Sequence, residues 1–151
     1  MINQTYRQIL YNGHDLPILI LSEDLVKDYI GNIPYILISI HDPLNHPVQF
    51  TYDNNRLSSI VLSFRDVEDG NYCFDDDQAS QIAEFVIKYK NSAKLLVINC
   101  EMGVSRSAGI GAAISKILNE DDMLFYKYYV PNSIVYRKTY NAMMEINGEK
   151  L

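Results

Sequence analysis

The sequence predicts a single α/β domain over residues 1–151, with a central, mainly parallel sheet flanked by helices. Three observations predict it. Short apolar runs alternate with segments of helical periodicity, the pattern of strands joined by crossover helices. The most apolar run, Lys94 to Asn99, suits the centre of a parallel sheet covered on both faces. With 48% apolar residues, 151 positions suffice for one core without disulfide or metal staples.

Each element has its own signal. Leu16 to Leu21 reads as a short buried strand, and Ser22 as the N-cap of a helix to about Ile30, with Glu23 and Asp24 in its first turn. Ile33 to Ile40 is a second apolar run, ended by the turn material His41-Asp42-Pro43. Leu44 to Asn55 shows little periodicity and is expected to be an excursion or an edge hairpin. Ser59 to Phe64 is a third strand, followed by a long polar loop from Arg65 to Asp77. A helix from about Asp76 to Lys90 puts Ile82, Phe85, Val86 and Tyr89 on one face, and the acidic run Asp75-Asp76-Asp77 suits its positive end. Lys94 to Asn99 follows as the central strand. Ser105 to Asn119 is a helix rich in Gly and Ala, able to approach the sheet closely. Two further helices are expected, about Asp122 to Tyr129 and Pro131 to Ile146, with Pro131 at a helix start. No repeat or linker divides the chain.

Charge and composition exclude several roles. A formal charge of −6 repels nucleic acid and anionic membranes, so neither is an expected partner. No apolar run has the length of a membrane span, and Met1-Ile2-Asn3-Gln4-Thr5 lacks the regions of a signal peptide. Two cysteines favour a reducing compartment, and the cytoplasm is the expected location. His14, His41 and His46 are scattered and read as loop residues rather than metal ligands. The tyrosines Tyr126, Tyr128, Tyr129, Tyr136 and Tyr140 are accounted for by helix packing.

The chemistry gathers where the central strand ends. Cys100 closes the apolar run, Arg106 follows within one turn of loop, and a small-residue helix begins at about Ser105. Backbone N–H groups of Glu101, Met102, Gly103, Val104, Ser105 and Arg106 can wrap an anion, with the helix's positive end facing the same point. Arg106 adds a planar fork that matches two phosphate oxygens. A thiol held in such positive potential is expected to attack as thiolate.

These residues resemble the cysteine-dependent protein tyrosine phosphatase superfamily, whose loop reads His-Cys-x-x-Gly-x-x-Arg-Ser/Thr. Cys100, Gly103, Arg106 and Ser107 stand at its places, and Gly103-Val104-Ser105-Arg106-Ser107 looks most like the compact dual-specificity branch. The resemblance covers roughly the chain from Ile60 onward. It implies a phosphatase fold, a cysteinyl-phosphate intermediate, no metal or organic cofactor, and a phosphorylated protein or peptide as substrate. It also implies an aspartate on a loop that protonates the leaving oxygen. Asp66 fits by local shape, closing Leu62-Ser63-Phe64-Arg65-Asp66, whereas Asp69 fits by spacing; Asp66 is preferred because loop lengths vary freely. Ser107 is implied as the hydroxyl that stabilises the departing thiolate. Asn99 replaces the family's histidine; its amide can hydrogen-bond backbone groups but brings no imidazole, which bears on rate more than on reaction type. Phosphoinositide phosphatases of the superfamily tend to carry lysines in this loop, where Glu101 puts a negative charge instead.

Two other readings stand beside the hydrolase. An arsenate reductase-like thiol enzyme would need a resolving cysteine, and only Cys73 is available. A non-catalytic phosphoprotein-binding module would fit Asn99 but has no need of the thiol. Cys73 itself reads as a structural thiol.

Overall fold

The computed structural model describes residues 10–11 and 15–149. The N-terminal start and His14 lie outside the described residues. The elements in chain order are β1 (Leu10–Tyr11), β2 (Ile18–Ser22), α1 (Glu23–Val26), β3 (Tyr35–His41), β4 (Arg56–Ser63), α2 (Asp76–Tyr89), β5 (Leu95–Cys100), α3 (Arg106–Leu118), α4 (Met123–Tyr128) and α5 (Ser133–Glu149).

The strands make one sheet in the order β1-β2-β5-β3-β4. β2, β5, β3 and β4 run parallel, and β1 adds an antiparallel edge through Leu10 opposite Leu19. β5 is central, with Ile98 level with Ile20 on β2 and Ile38 on β3. All six of its residues are buried, which is why it reads as an unbroken apolar run.

Alternation along the strands sorts two cores. Ile18, Ile20, Ile36, Ile38, Leu96, Ile98 and Cys100 face the helical layer, with Ile82, Val86, Ile110, Ile114, Val135 and Met143. Leu19, Leu21, Tyr35, Leu37, Leu95 and Val97 face the other way, covered by Val26 of α1 and by Tyr29, Val48 and Phe50. Helix α3 is wedged deep in the first layer, buried from Arg106 through Ser115. A Cβ at Gly109 would lie 2.9 Å from the Asn132 carbonyl oxygen, and only a glycine lets α3 come so near the start of α5.

Several boundaries differ from the sequence-based expectation. Helix α1 stops at Val26 rather than Ile30: the Asp53 carboxylate accepts from Gly31 N–H at 2.8 Å, drawing the chain away from the helical path. β4 begins at Arg56, ahead of Ser59, because an edge strand needs no continuous apolar run to pair with β3. The segment from Leu44 to Asn55 is an excursion without strand. His41 is the last residue of β3 rather than a loop residue, its Nδ1 3.0 Å from the Asp42 carbonyl oxygen. Pro131 precedes α5, and the cap is Asn132, whose Oδ1 accepts from the N–H groups of Ile134 and Val135, each at 3.1 Å. The expected cap at Ser22 is present, and Asp75, read from sequence only as part of an acidic run, caps α2 in a reciprocal capping box with Gln78. No helix among the described residues is long and apolar enough to cross a membrane.

Candidate active site

Cys100 ends β5 with its side chain turned toward the helical layer and 2% exposed. After it the chain must leave the sheet and enter α3 within five residues, so the loop folds back over β2. Gly103 makes this possible at φ +70, with a Cβ position only 2.8 Å from the backbone of Leu21 and Ser22. A side chain would collide with that backbone, and glycine takes the dihedral without strain.

Three of the loop's carbonyl groups, those of Glu101, Val104 and Ser105, are taken up by neighbouring segments. Glu101 O accepts from Glu23 N–H at 3.1 Å, Val104 O from Val130 N–H at 3.1 Å, and Ser105 O from the N–H groups of Gly109 and Asn132 at 2.9 and 3.1 Å. The N–H groups of Glu101 to Ser105 donate to no protein acceptor among the described residues. Carbonyls satisfied outward and amides free is the polarity of an anion nest. The amino end of α3 opens on the same point.

Arg106 is held at its far side. Nη1 donates to the Phe64 carbonyl at 2.8 Å, and Nη2 lies 4.0 Å from the Glu101 carboxylate. Its Nε is buried and has no partner among the described residues. A guanidinium fixed on one edge with an unsatisfied N–H elsewhere has donor capacity left for an oxyanion. Ser107 Oγ stands 3.1 Å from Cys100 Sγ.

Asp66, Cys100, Met102, Val104, Ser105 and Arg106 line one open cleft of about 310 Å³. The Asp66 carboxylate accepts on Oδ1 from Ser105 Oγ at 2.8 Å and from Asn132 Nδ2 at 2.9 Å. Asn132 also donates to the Val67 carbonyl at 3.2 Å, so one amide fixes both the carboxylate and its loop. Asp69 is exposed and does not line the cleft.

Of the residues singled out from sequence, Glu101 and Gly103 belong to the loop without lining the cleft, and Ser107 lies behind the thiol. The tyrosine cluster is elsewhere: Tyr136 stacks on Tyr140 and donates to Asp122 at 2.8 Å. Cys73 and Cys100 are both free thiols. The Asn99 amide, expected to find backbone partners, has none among the described residues: Oδ1 and Nδ2 are both buried and unpaired there. Its neighbour on that face, Ser39 of β3, is unpaired too, and strand backbone is already spent on the ladder. Asn132 was not singled out from the sequence. The only signal was the dipeptide Pro131-Asn132 ahead of an apolar helix, which marks a cap and says nothing of a carboxylate far away in the chain. Among the described residues no group of three or more His, Cys, Asp or Glu could hold a metal ion.

No family model matches the sequence, and no curated protein matches it. Solved structures do. A mouse protein described as a dual specificity phosphatase, complexed with zinc tungstate, superposes with a TM-score of 0.60 at 10% identity, covering 99% of this chain and 95% of its own. PTPMT1 in complex with PI(5)P gives 0.53 at 14% identity over 80% and 82%. A human tyrosine phosphatase-like serine/threonine/tyrosine-interacting protein gives 0.50 at 18% identity, over 78% of each chain. At such identities the likeness is one of architecture, and it agrees with the loop motif: this chain has the fold of the protein tyrosine and dual-specificity phosphatases.

Proposed function

We propose that this chain, residues 1–151 as one domain, is a phosphomonoester hydrolase acting on phosphotyrosyl proteins or peptides, with phosphoserine or phosphothreonine as lesser substrates. The observation that carries this reading is the convergence on one cleft of free loop amides, the unpaired Arg106 Nε and the Cys100 thiol, with Asp66 at the rim. A binding loop alone would not need a thiol backed by a hydroxyl.

In the first step Cys100 Sγ bonds to phosphorus as the ester P–O bond breaks, and Asp66 gives its proton to the departing oxygen. Oδ1 already accepts two hydrogen bonds, which leaves Oδ2 for the proton. In the second step Asp66 takes a proton from water, the water oxygen bonds to phosphorus, and the S–P bond breaks. Ser107 Oγ donates to the released thiolate. Arg106 and the loop amides stabilise the equatorial oxygens throughout.

The neighbour bound to zinc tungstate is in keeping with an oxyanion in this loop, and the one bound to PI(5)P raises a lipid phosphate as substrate. Glu101 in the loop and the charge of −6 favour a peptide over an anionic lipid surface. Two free thiols suit a reducing compartment such as the cytoplasm. The reading is tested by phosphate release from a phosphotyrosyl peptide, wild type beside Cys100→Ser. Release that depends on Cys100 is expected; equal release from both proteins would end the proposal. Tight peptide binding without release would make the chain a phosphoprotein-binding module.

A further inference from the structure

Among the described residues five buried side-chain N or O atoms lack a hydrogen-bond partner, and three of them meet at one place: Ser39 Oγ, Asn99 Oδ1 and Asn99 Nδ2. Both residues are 0% exposed. Ser39 on β3 and Asn99 on β5 are register partners in the parallel ladder, so their side chains leave the sheet side by side on the same face. That face is lined by Leu37 and Val97 and covered by Val26, Tyr29, Val48 and Phe50, and among the described residues none gives Ser39 Oγ or the Asn99 amide a hydrogen bond. A fourth unpaired atom is Arg106 Nε, already placed in the cleft.

An unpaired buried hydroxyl or amide costs about 1–3 kcal/mol. Three such atoms clustered in one interior spot offer two acceptors and donors enough to anchor an ordered water, which typically makes about three hydrogen bonds. Asn99 is also the residue directly before Cys100. Its other register partner is Leu21, on whose backbone Gly103 of the loop rests. The pair therefore sits beneath the point where the loop leaves the sheet.

We propose that Ser39 Oγ and the Asn99 amide together hold one buried water under the phosphate-binding loop, and that Ser39 is thereby a positioning residue for Cys100. The water ties β3 to the end of β5. The ladder already pairs β5 with both neighbours, so the water's part is to lock the Asn99 side chain; without it the residue before Cys100 can turn, which shifts Cys100 Sγ relative to Ser107 Oγ and the guanidinium of Arg106. The positioning role rests on Cys100 being the nucleophile; the water does not.

The test compares Ser39→Ala, Ser39→Thr, Asn99→Leu and the double variant Ser39→Ala/Asn99→Leu. Urea unfolding, kcat and KM on a phosphotyrosyl peptide, and the rate of Cys100 alkylation by iodoacetamide are measured for each. A shared water predicts that each single loss lowers stability and that the double costs less than the sum. Positioning predicts that Ser39→Ala lowers both kcat and alkylation about five-fold, the worth of one net hydrogen bond, with KM unchanged. Ser39→Thr, which keeps the hydroxyl, restores both. If Ser39→Ala raises stability, the hydroxyl is an unrelieved penalty and the water is overturned. Lower stability with wild-type kcat and alkylation overturns the positioning role. Absence of hydrolysis in the wild type would end the phosphatase reading and the positioning role that rests on it, while the unfolding comparison still decides the water.

Discussion

Asp66 and Asp69 stand three positions apart, and their surroundings separate them. Asp66 lines the cleft with its Oδ1 fixed by Ser105 and Asn132, while Asp69 is exposed outside it. Asp66→Asn is therefore expected to lower kcat for phosphotyrosyl peptide hydrolysis by about 10²-fold or more, the usual contribution of a general acid. Asp69→Asn should leave kcat within about two-fold, since surface changes of this kind touch neither cleft nor core. Steady-state kinetics of both variants at one pH settles the assignment; the reverse order of effects would transfer the role to Asp69. At this scale the gathering of Cys100, Arg106 and Ser107 about one loop was legible, because loop geometry imposes their spacing on the sequence. Asn132 and Ser39 were not. Each acts across the fold on a residue distant in sequence, and nothing local marks it.

At the scale of elements, the strands that lie inside the sheet were legible and the peripheral boundaries were not. β5 and β3 are apolar on both faces because both faces are covered, so their sequence carries the whole signal. β4 is half exposed and its first residues look like loop, and α1 is cut short by a carboxylate from a later segment. The junction of α3 with β2 is another such tertiary feature. Asn119 Oδ1 accepts from the N–H groups of Asp15 and Leu16, each at 3.1 Å, and its Nδ2 donates to the Leu16 carbonyl at 3.0 Å. These bonds fasten the end of the helix that carries Arg106 to the strand on which the loop rests. Asn119→Ala is expected to lower the unfolding free energy by about 1–3 kcal/mol, because the Leu16 groups stay buried without partners. Urea denaturation measures this, and an unchanged midpoint would show the clamp to be dispensable.

Over the whole molecule, acid stability offers an independent check on the second core. Burial alone would raise the Asp53 carboxyl above its ordinary 3.8, but hydrogen bonds from Gly31 N–H, the Tyr35 hydroxyl and Asn55 N–H, with the Arg56 charge, bring it below that value. A carboxyl depressed on folding contributes stability that is present above its ordinary value and is lost as pH falls through the folded value. The unfolding free energy of wild type should therefore fall more steeply below about pH 4 than that of Asp53→Asn. Parallel curves for the two proteins would contradict this. The central claim concerns Cys100, and it is tested most directly by quenching turnover of a radiolabelled phosphotyrosyl peptide in acid and mapping the label. The account predicts label on Cys100 in wild type and none in Cys100→Ser. Phosphate release with no label on Cys100 would contradict it.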